Sequence, residues 1–526
     1  MAMVAHVDAV TLKAWLSDGG EIALIDVSEP GQYGSGHPFF AVPLPYSRFE
    51  LSLPALVPNP AVRLVLCDEG DGIAERAAMR AQASGYRNLH VLAGGKPAWR
   101  QAGFTLYAGV NVPSKTFGEL VETARHTPRI SPQAVQTMRD ANEDLVIVDG
   151  RPFAEYRKMS IPGGICCPNG ELALRINDIA PDPKTKIVVN CAGRTRSIIG
   201  AQTLLELGIP NPVYALENGT QGWFLAGFAL EHEAMRRHSD DLGSADIARQ
   251  QTQARQFARA HGVATVAPAT VTAWLSDLER TTYLLDVRTA EEHAAAALPG
   301  FRHAPGGQLV QATDQWVGVT GARLVLADDE LVRAPVVAGW LRQVGHEACV
   351  LDGGLGAAAT LTWPQPFKPP APPAPPAITA HEVVLAPGND SVQVIDLRPA
   401  MTFRQGHIAQ AQWSIRSRIA AAVKRGSQMT VLVADEPGVA ALAALDLREA
   451  GITDIRLLAD GLMAWRDAGL SIVATPDHPA DADCIDFLFF VHDRHEGNAE
   501  AARQYLAWET GLPDLLDAQE RGTFRI

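Results

Sequence analysis

Four times along this chain a short apolar run ends in aspartate, and a second apolar run follows at a nearly fixed distance. The aspartates are Asp26, Asp149, Asp286 and Asp396. The second runs are Leu64-Val65-Leu66, Ile187-Val188-Val189, Leu324-Val325-Leu326 and Val431-Leu432-Val433. From each aspartate to the loop position that follows the second run, the separations are about 41, 42, 41 and 38 residues. Each repeat then closes on a further element: Gly95 to Trp99, Gly219 to Trp223, Gly354 to Ala358, and Gly461 to Trp465. Apolar strands separated by helix-length segments at this period predict α/β modules, each a central, mainly parallel sheet flanked by helices. A chain of 526 residues is long for one core and suits four modules of about 100 residues each.

The second repeat carries the most informative loop, Cys191-Ala192-Gly193-Arg194-Thr195-Arg196. It leaves an apolar strand and enters a helical pattern of Ile198, Ile199, Ala201, Leu204 and Leu205. Backbone N–H groups at a helix N-terminus point into such a loop. With Arg194 and Arg196 they favour negative charge there: a thiolate, an anionic substrate or a charged sulfur adduct. The chemistry indicated is attack by sulfur on an anion. Two reactions use a cradle of this kind, sulfur transfer and phosphate ester hydrolysis by a cysteine phosphatase. Only four residues separate Cys191 from Arg196, which suits a terminal sulfur better than a tetrahedral phosphoryl group.

The corresponding loops differ. The first repeat keeps a sulfur, Cys67, but follows it with Asp68, Glu69 and Asp71. Those carboxylates raise the thiol pKa and repel an anionic donor. The third reads Ala327-Asp328-Asp329-Glu330 and the fourth Ala434-Asp435-Glu436-Pro437, with no sulfur at the aligned position.

These residues resemble the rhodanese family of sulfurtransferases, whose active loop is a six-residue, Cys-initiated turn between strand and helix. Val146 to Arg151 is similar to the family's strand ending in Asp-x-Arg. Phe153 to Tyr156, Ile161 to Gly164, and Leu216 to Trp223 match its later segments. Ser160 stands where the family often has His. The resemblance covers four tandem modules up to about Ala474 and implies one working site. Cys191 would be the catalytic residue. Ala192, Gly193, Arg194, Thr195, Arg196 and, from the neighbouring strand end, Arg151 would bind the anion. No metal or organic cofactor is implied. The reaction implied is transfer of sulfur from thiosulfate or a similar small anionic donor to cyanide or a thiol acceptor, through a Cys191 persulfide. A second reading is a sulfur-carrier or interaction scaffold that delivers persulfide sulfur to a protein acceptor, and a third is a cysteine phosphatase.

The module boundaries expected are residues 1–110, with an inactive acidic loop, and 126–232, the catalytic module. A helical linker over 233–261 would join this first pair to a second. Modules over 262–364 and 378–474, both inactive, are expected to serve stability or assembly and to flank a Pro-rich spacer over 365–377. The tail over 475–526 contains an amphipathic pattern from Glu496 to Leu516, with Ala501, Tyr505, Leu506 and Trp508 available for packing. It is expected to dock on a module or on a second copy of the chain. His492 and His495 lie near each other there, without the further ligands a metal site requires.

Composition narrows the partners. A net charge of −14 argues against nucleic acid or an anionic membrane surface. The first residues show no secretory pattern, and no apolar stretch is long enough to span a bilayer. Six cysteines without regular spacing do not form a disulfide framework. A reducing cytoplasm fits these three readings. Cys166, Cys167, Cys349 and Cys484 are expected in packing roles, with a resolving thiol for Cys191 left open at Cys166-Cys167.

Overall fold

Each repeat folds into a five-stranded sheet, and all four sheets share one strand order: first, fifth, fourth, second, third. In this computed structural model the residues described are 4–242, 246–362, 367–386, 392–424, 427–489 and 498–526. His492, His495 and Pro364 therefore lie outside the described residues. In the second module the order is Arg129–Ile130, Val213–Leu216, Lys186–Asn190, Leu145–Asp149 and Ile165–Cys166, and every pairing is parallel. Ile187, Val188 and Val189 are fully buried, as a central parallel strand covered on both faces requires. Asp149 pairs in register with Asn190, so the loops that follow both residues leave the same edge side by side. The order in which strands are added reverses between this central strand and its neighbour Leu145–Asp149, the position at which open α/β sheets bind ligands.

The closing element of the repeat has a packing reason. Gly219 adopts φ +56°, and a Cβ there would lie 2.2 Å from the Cys191 carbonyl oxygen. Only glycine lets the helix Gly219–Leu225 press on the loop. Trp223, buried four residues on, donates its indole N–H to the Ala229 carbonyl at 3.0 Å. Trp99 and Trp465 make the same bond to the carbonyls of Thr105 and Ser471, six residues on.

Two expectations are corrected. Among the described residues of the linker over 233–261, the helix is confined to Ile247–Ala260, where Asp246 caps the N-terminus. Before that helix the chain runs beside the edge strand Ile165–Cys166: Cys166 N–H donates to Arg236 O, and His238 N–H donates to Cys166 O. An edge strand with unpaired backbone groups recruits such a segment.

The module pairing also differs. The chain forms two compact units, one of residues 1–14, 23–109 and 367–489, the other of 15–22, 110–366 and 490–526. Modules one and four thus share a unit, and modules two and three share the other. In the first unit, Asp446 of module four, 3% exposed, pairs with Arg76 and Arg80 of module one. In the second, the fully buried Arg333 of module three pairs with Glu171 of module two at 3.2 Å, and Trp340 donates to Thr203 Oγ1 at 2.8 Å. Separating either pair would strand buried charge, which local sequence patterns do not report.

The tail helix spans Ala499–Leu515, capped by Asn498, and buries Ala502, Tyr505, Leu506, Glu509 and Leu512. Among the described residues no helix is long and apolar enough to cross a membrane.

Candidate active site

Strand Lys186–Asn190 ends at Cys191, and helix Thr195–Glu206 begins four residues later. The loop is tied on both sides. Asn190 donates its side-chain amide to Asp149 Oδ2 at 2.9 Å, and Gly150 N–H donates to the Asn190 carbonyl at 2.9 Å. From the other side, Thr220 N–H donates to Cys191 O at 2.8 Å and Gln221 N–H to Ala192 O at 3.1 Å. Ser197 Oγ donates to Cys191 Sγ at 3.1 Å. The helix has no side-chain cap, so its N-terminal N–H groups and dipole are aimed at the loop without a protein carboxylate capping them.

Modules one and three supply that carboxylate themselves. Asp68 Oδ2 accepts from Ala74 N–H at 2.9 Å, and Asp328 Oδ2 accepts from Val332 and Arg333 N–H at 3.1 and 2.9 Å. Both aspartates stand where module two has Ala192. In module one, Lys96 fills the remaining space, paired with Asp26 at 3.1 Å and with Glu69. Burial, with Asp26, Asp68 and Glu69 adding repulsion, pushes the Cys67 thiol well above its ordinary range despite Lys96 nearby. The acidic loop thus raises this thiol as its sequence predicts, though burial is the larger cause.

Cys191, Ala192, Gly193, Arg194, Thr195, Arg196 and Arg151 all line one cavity of about 380 Å³. The three arginines are committed to carboxylates. Arg151, buried, donates to both Asp149 oxygens at 2.9 and 2.7 Å and to Met159 O at 2.6 Å. Arg194 forks onto Glu119 at 2.6 and 2.8 Å and also pairs with Glu122. Arg196 forks onto Glu155 at 2.9 and 2.7 Å. Burial opposes the charge on Arg194 and Arg196, but these carboxylates outweigh it and hold both above the ordinary guanidinium range. Each guanidinium in the floor is thus matched by at least one carboxylate.

Other parts of the chain complete the walls. From module three, Gln308 accepts from Arg196 Nη1 at 3.2 Å, and Gln311 lines the same space. From the tail helix, Glu509 Oε1 accepts from Thr195 Oγ1 at 2.8 Å and lies 3.5 Å from Lys115 Nζ, which also bonds Tyr505. A Cβ on Gly193 would lie 2.9 Å from Glu509 Oε2, so the tail rests directly on the cysteine loop. Module three, expected to serve stability or assembly, thus also lends side chains to the wall of this cavity.

Sequence reasoning missed Lys115, Gln308, Tyr505 and Glu509, which come from outside the module and carry no local signal. Lys158 and Met159 also line the cavity and stand next to the recognised segments. The remaining cysteines are buried and unpaired. Burial pushes Cys166 and Cys349 up to about 12, and Cys167 well above the ordinary range. None of these three lines the cavity.

Comparison with known proteins agrees with this anatomy. A family model described as the rhodanese-like domain matches residues 8–102, 131–226, 268–359 and 379–468. A solved structure described as thiosulfate sulfurtransferase from Pseudomonas aeruginosa is 40% identical. The match covers 99% of this chain and 100% of that one, with a TM-score of 0.91. Two curated proteins match over 102 residues each, 19% of this chain. YrkF of Bacillus subtilis (strain 168), named as a candidate sulfur carrier protein, is 31% identical. The HTH-type transcriptional regulator Rv0324 of Mycobacterium tuberculosis (strain ATCC 25618 / H37Rv) is 32% identical. The chain spans about half the length of these curated relatives, 54% and 44%. With four repeats matched, one strand order in all four sheets and a cysteine loop at the central strand tip, the chain belongs to the rhodanese-like domain family.

Proposed function

We propose that this chain is a rhodanese-type sulfurtransferase that moves sulfane sulfur from thiosulfate, or a similar small anionic donor, to cyanide or a thiol through a persulfide on Cys191. One observation carries the reading. Of four related loops, only Cys191 combines a sulfur atom with a helix N-terminus that its own loop leaves uncapped. The full-length likeness to a protein described as a thiosulfate sulfurtransferase supports it.

The steps balance. Cys191 thiolate attacks the outer sulfur of thiosulfate, the donor S–S bond breaks, and its electron pair leaves with sulfite. An acceptor such as cyanide then takes the outer sulfur of the persulfide, giving thiocyanate and restoring the thiolate. The loop amides face the charge that develops on the transferred sulfur. Ser197 Oγ steadies Cys191 Sγ between the steps. Arg194 and Arg196 keep the loop open in the shape of an anion cradle, each fixed by its carboxylate partners.

Incubation of the purified protein with thiosulfate, followed by mass analysis of the peptide that contains Cys191, tests the proposal. A gain of one sulfur atom that cyanide removes is the expected result. An unmodified peptide with turnover of a phosphate ester would replace the reading by a cysteine phosphatase. A persulfide that passes to a protein thiol but not to cyanide or small thiols would replace it by a carrier.

A further inference from the structure

Resting on the sulfur-transfer reading above, we propose that Lys158 selects the donor: its ammonium receives the outer anionic group of the sulfane donor and the sulfite that departs. Among the described residues, five cationic residues line the cavity that holds Cys191: Lys115, Arg151, Lys158, Arg194 and Arg196. Four are answered by carboxylates, namely Glu509, Asp149, the pair Glu119 and Glu122, and Glu155. Lys158 is the exception. Among the described residues its ammonium has no ion-pair partner, and the residue is exposed and lines the cavity.

The chemistry requires a cation in that role. Thiosulfate brings two negative charges into a region whose arginines already have counter-charges. During attack, negative charge moves away from Cys191 toward the leaving sulfite, at the outer end of the donor. A committed guanidinium in the floor cannot follow it there, whereas an uncommitted ammonium on a flexible stem can. The backbone beneath Lys158 is fixed, which sets where that ammonium reaches. Lys158 ends helix Phe153–Lys158, the helix that presents Glu155 to Arg196. The Lys158 carbonyl is bonded by His232 Nδ1 at 2.6 Å, and the next carbonyl, of Met159, accepts from Arg151. The donor class is therefore one whose sulfane sulfur is attached to an anionic oxygen-rich group, with thiosulfate preferred over monoanionic thiosulfonates.

The test uses the full chain, two donors and three variants. Lys158→Gln is expected to raise KM for thiosulfate about tenfold at low salt and to slow sulfur uptake by Cys191, an effect that shrinks as salt rises. For the monoanion methanethiosulfonate the rise is expected to be about threefold, by the same charge argument. Lys158→Arg should restore thiosulfate KM to within about threefold of wild type. Arg157→Gln removes a neighbouring exposed cation that pairs with Glu233 and does not line the cavity, and it should change neither donor. Unchanged thiosulfate KM in Lys158→Gln overturns the assignment. So does an equal rise for both donors, or an equal effect from Arg157→Gln, since either would mean only a general field. If wild type takes sulfur from neither donor, the sulfur-transfer reading itself fails, which is a distinct result.

Discussion

Gln308 Oε1 accepts a hydrogen bond from Arg196 Nη1 at 3.2 Å, joining a module without a reactive sulfur to the last residue of the cysteine loop. It shares that nitrogen with Glu155, whose two oxygens accept from Nη1 and Nη2. Module three, with Ala327 at the aligned position, thus forms part of the wall of this site.

Gln308→Ala is expected to lower kcat/KM for thiosulfate about three- to tenfold, the net value of one ordinary hydrogen bond. A chain ending near Glu231 loses Gln308, the tail helix and the partner of Glu171 together. It should retain under about a tenth of full-length turnover. Steady-state kinetics on both, with circular dichroism to verify folding, decides it. A folded truncation with full activity would remove module three from the site.

Cys191→Ser should abolish thiosulfate:cyanide sulfur transfer, and Cys67→Ser should leave most of it. The physical contrast is an uncapped helix N-terminus against a loop sealed by Asp68 and Lys96. Thiocyanate production is the measurement, and major loss in the Cys67 variant with intact folding would refute the single-site reading.

Ala192→Asp would give module two the residue that modules one and three use to cap the same helix. The new carboxylate should bond the helix amides and add about 0.5–2 kcal/mol of stability, before any cost of fitting it beside Cys191. It should also reduce thiosulfate turnover by about a hundredfold or more, because it occupies the anion position with like charge. Ala192→Ser, which caps without charge, should lose much less. Equal losses in the two variants would show that sterics, not charge, closes the site.

A pH effect is expected in the other unit. Burial raises the Glu29 carboxyl to about 7 from an ordinary 4.5, with Asp486 adding repulsion, although Ser47 donates to it through N–H and Oγ. The folded state therefore holds a proton that the unfolded chain releases. The stabilisation is complete below about pH 4.5, falls as pH rises toward 7 and is absent beyond it, an effect of up to about 3 kcal/mol. Glu29→Gln should flatten this part of the profile in denaturant titrations at pH 5, 6 and 8. Parallel profiles for wild type and variant would show that Glu29 ionises without penalty.

The repeat, the strands and the reactive loop were legible along the chain because each depends on near neighbours. Fully buried strands read as apolar runs, the Gly-to-Trp element has a fixed offset, and a cysteine between strand and helix declares itself by position. The charge state of the site was not legible. Arg194 and Arg196 look like open cations in sequence, yet Glu119, 75 residues away, and Glu155, 41 residues away, already hold them. Lys158 looks like an ordinary helix-end lysine, and only the tertiary structure shows that among the described residues it is the cavity cation without an ion-pair partner. Module pairing was hidden for the same reason. Arg333 meets Glu171 across 162 residues, and Glu509 reaches Thr195 across 314. Periodicity reports which face of an element is buried, but the partner of a buried charge is chosen by where distant elements pack.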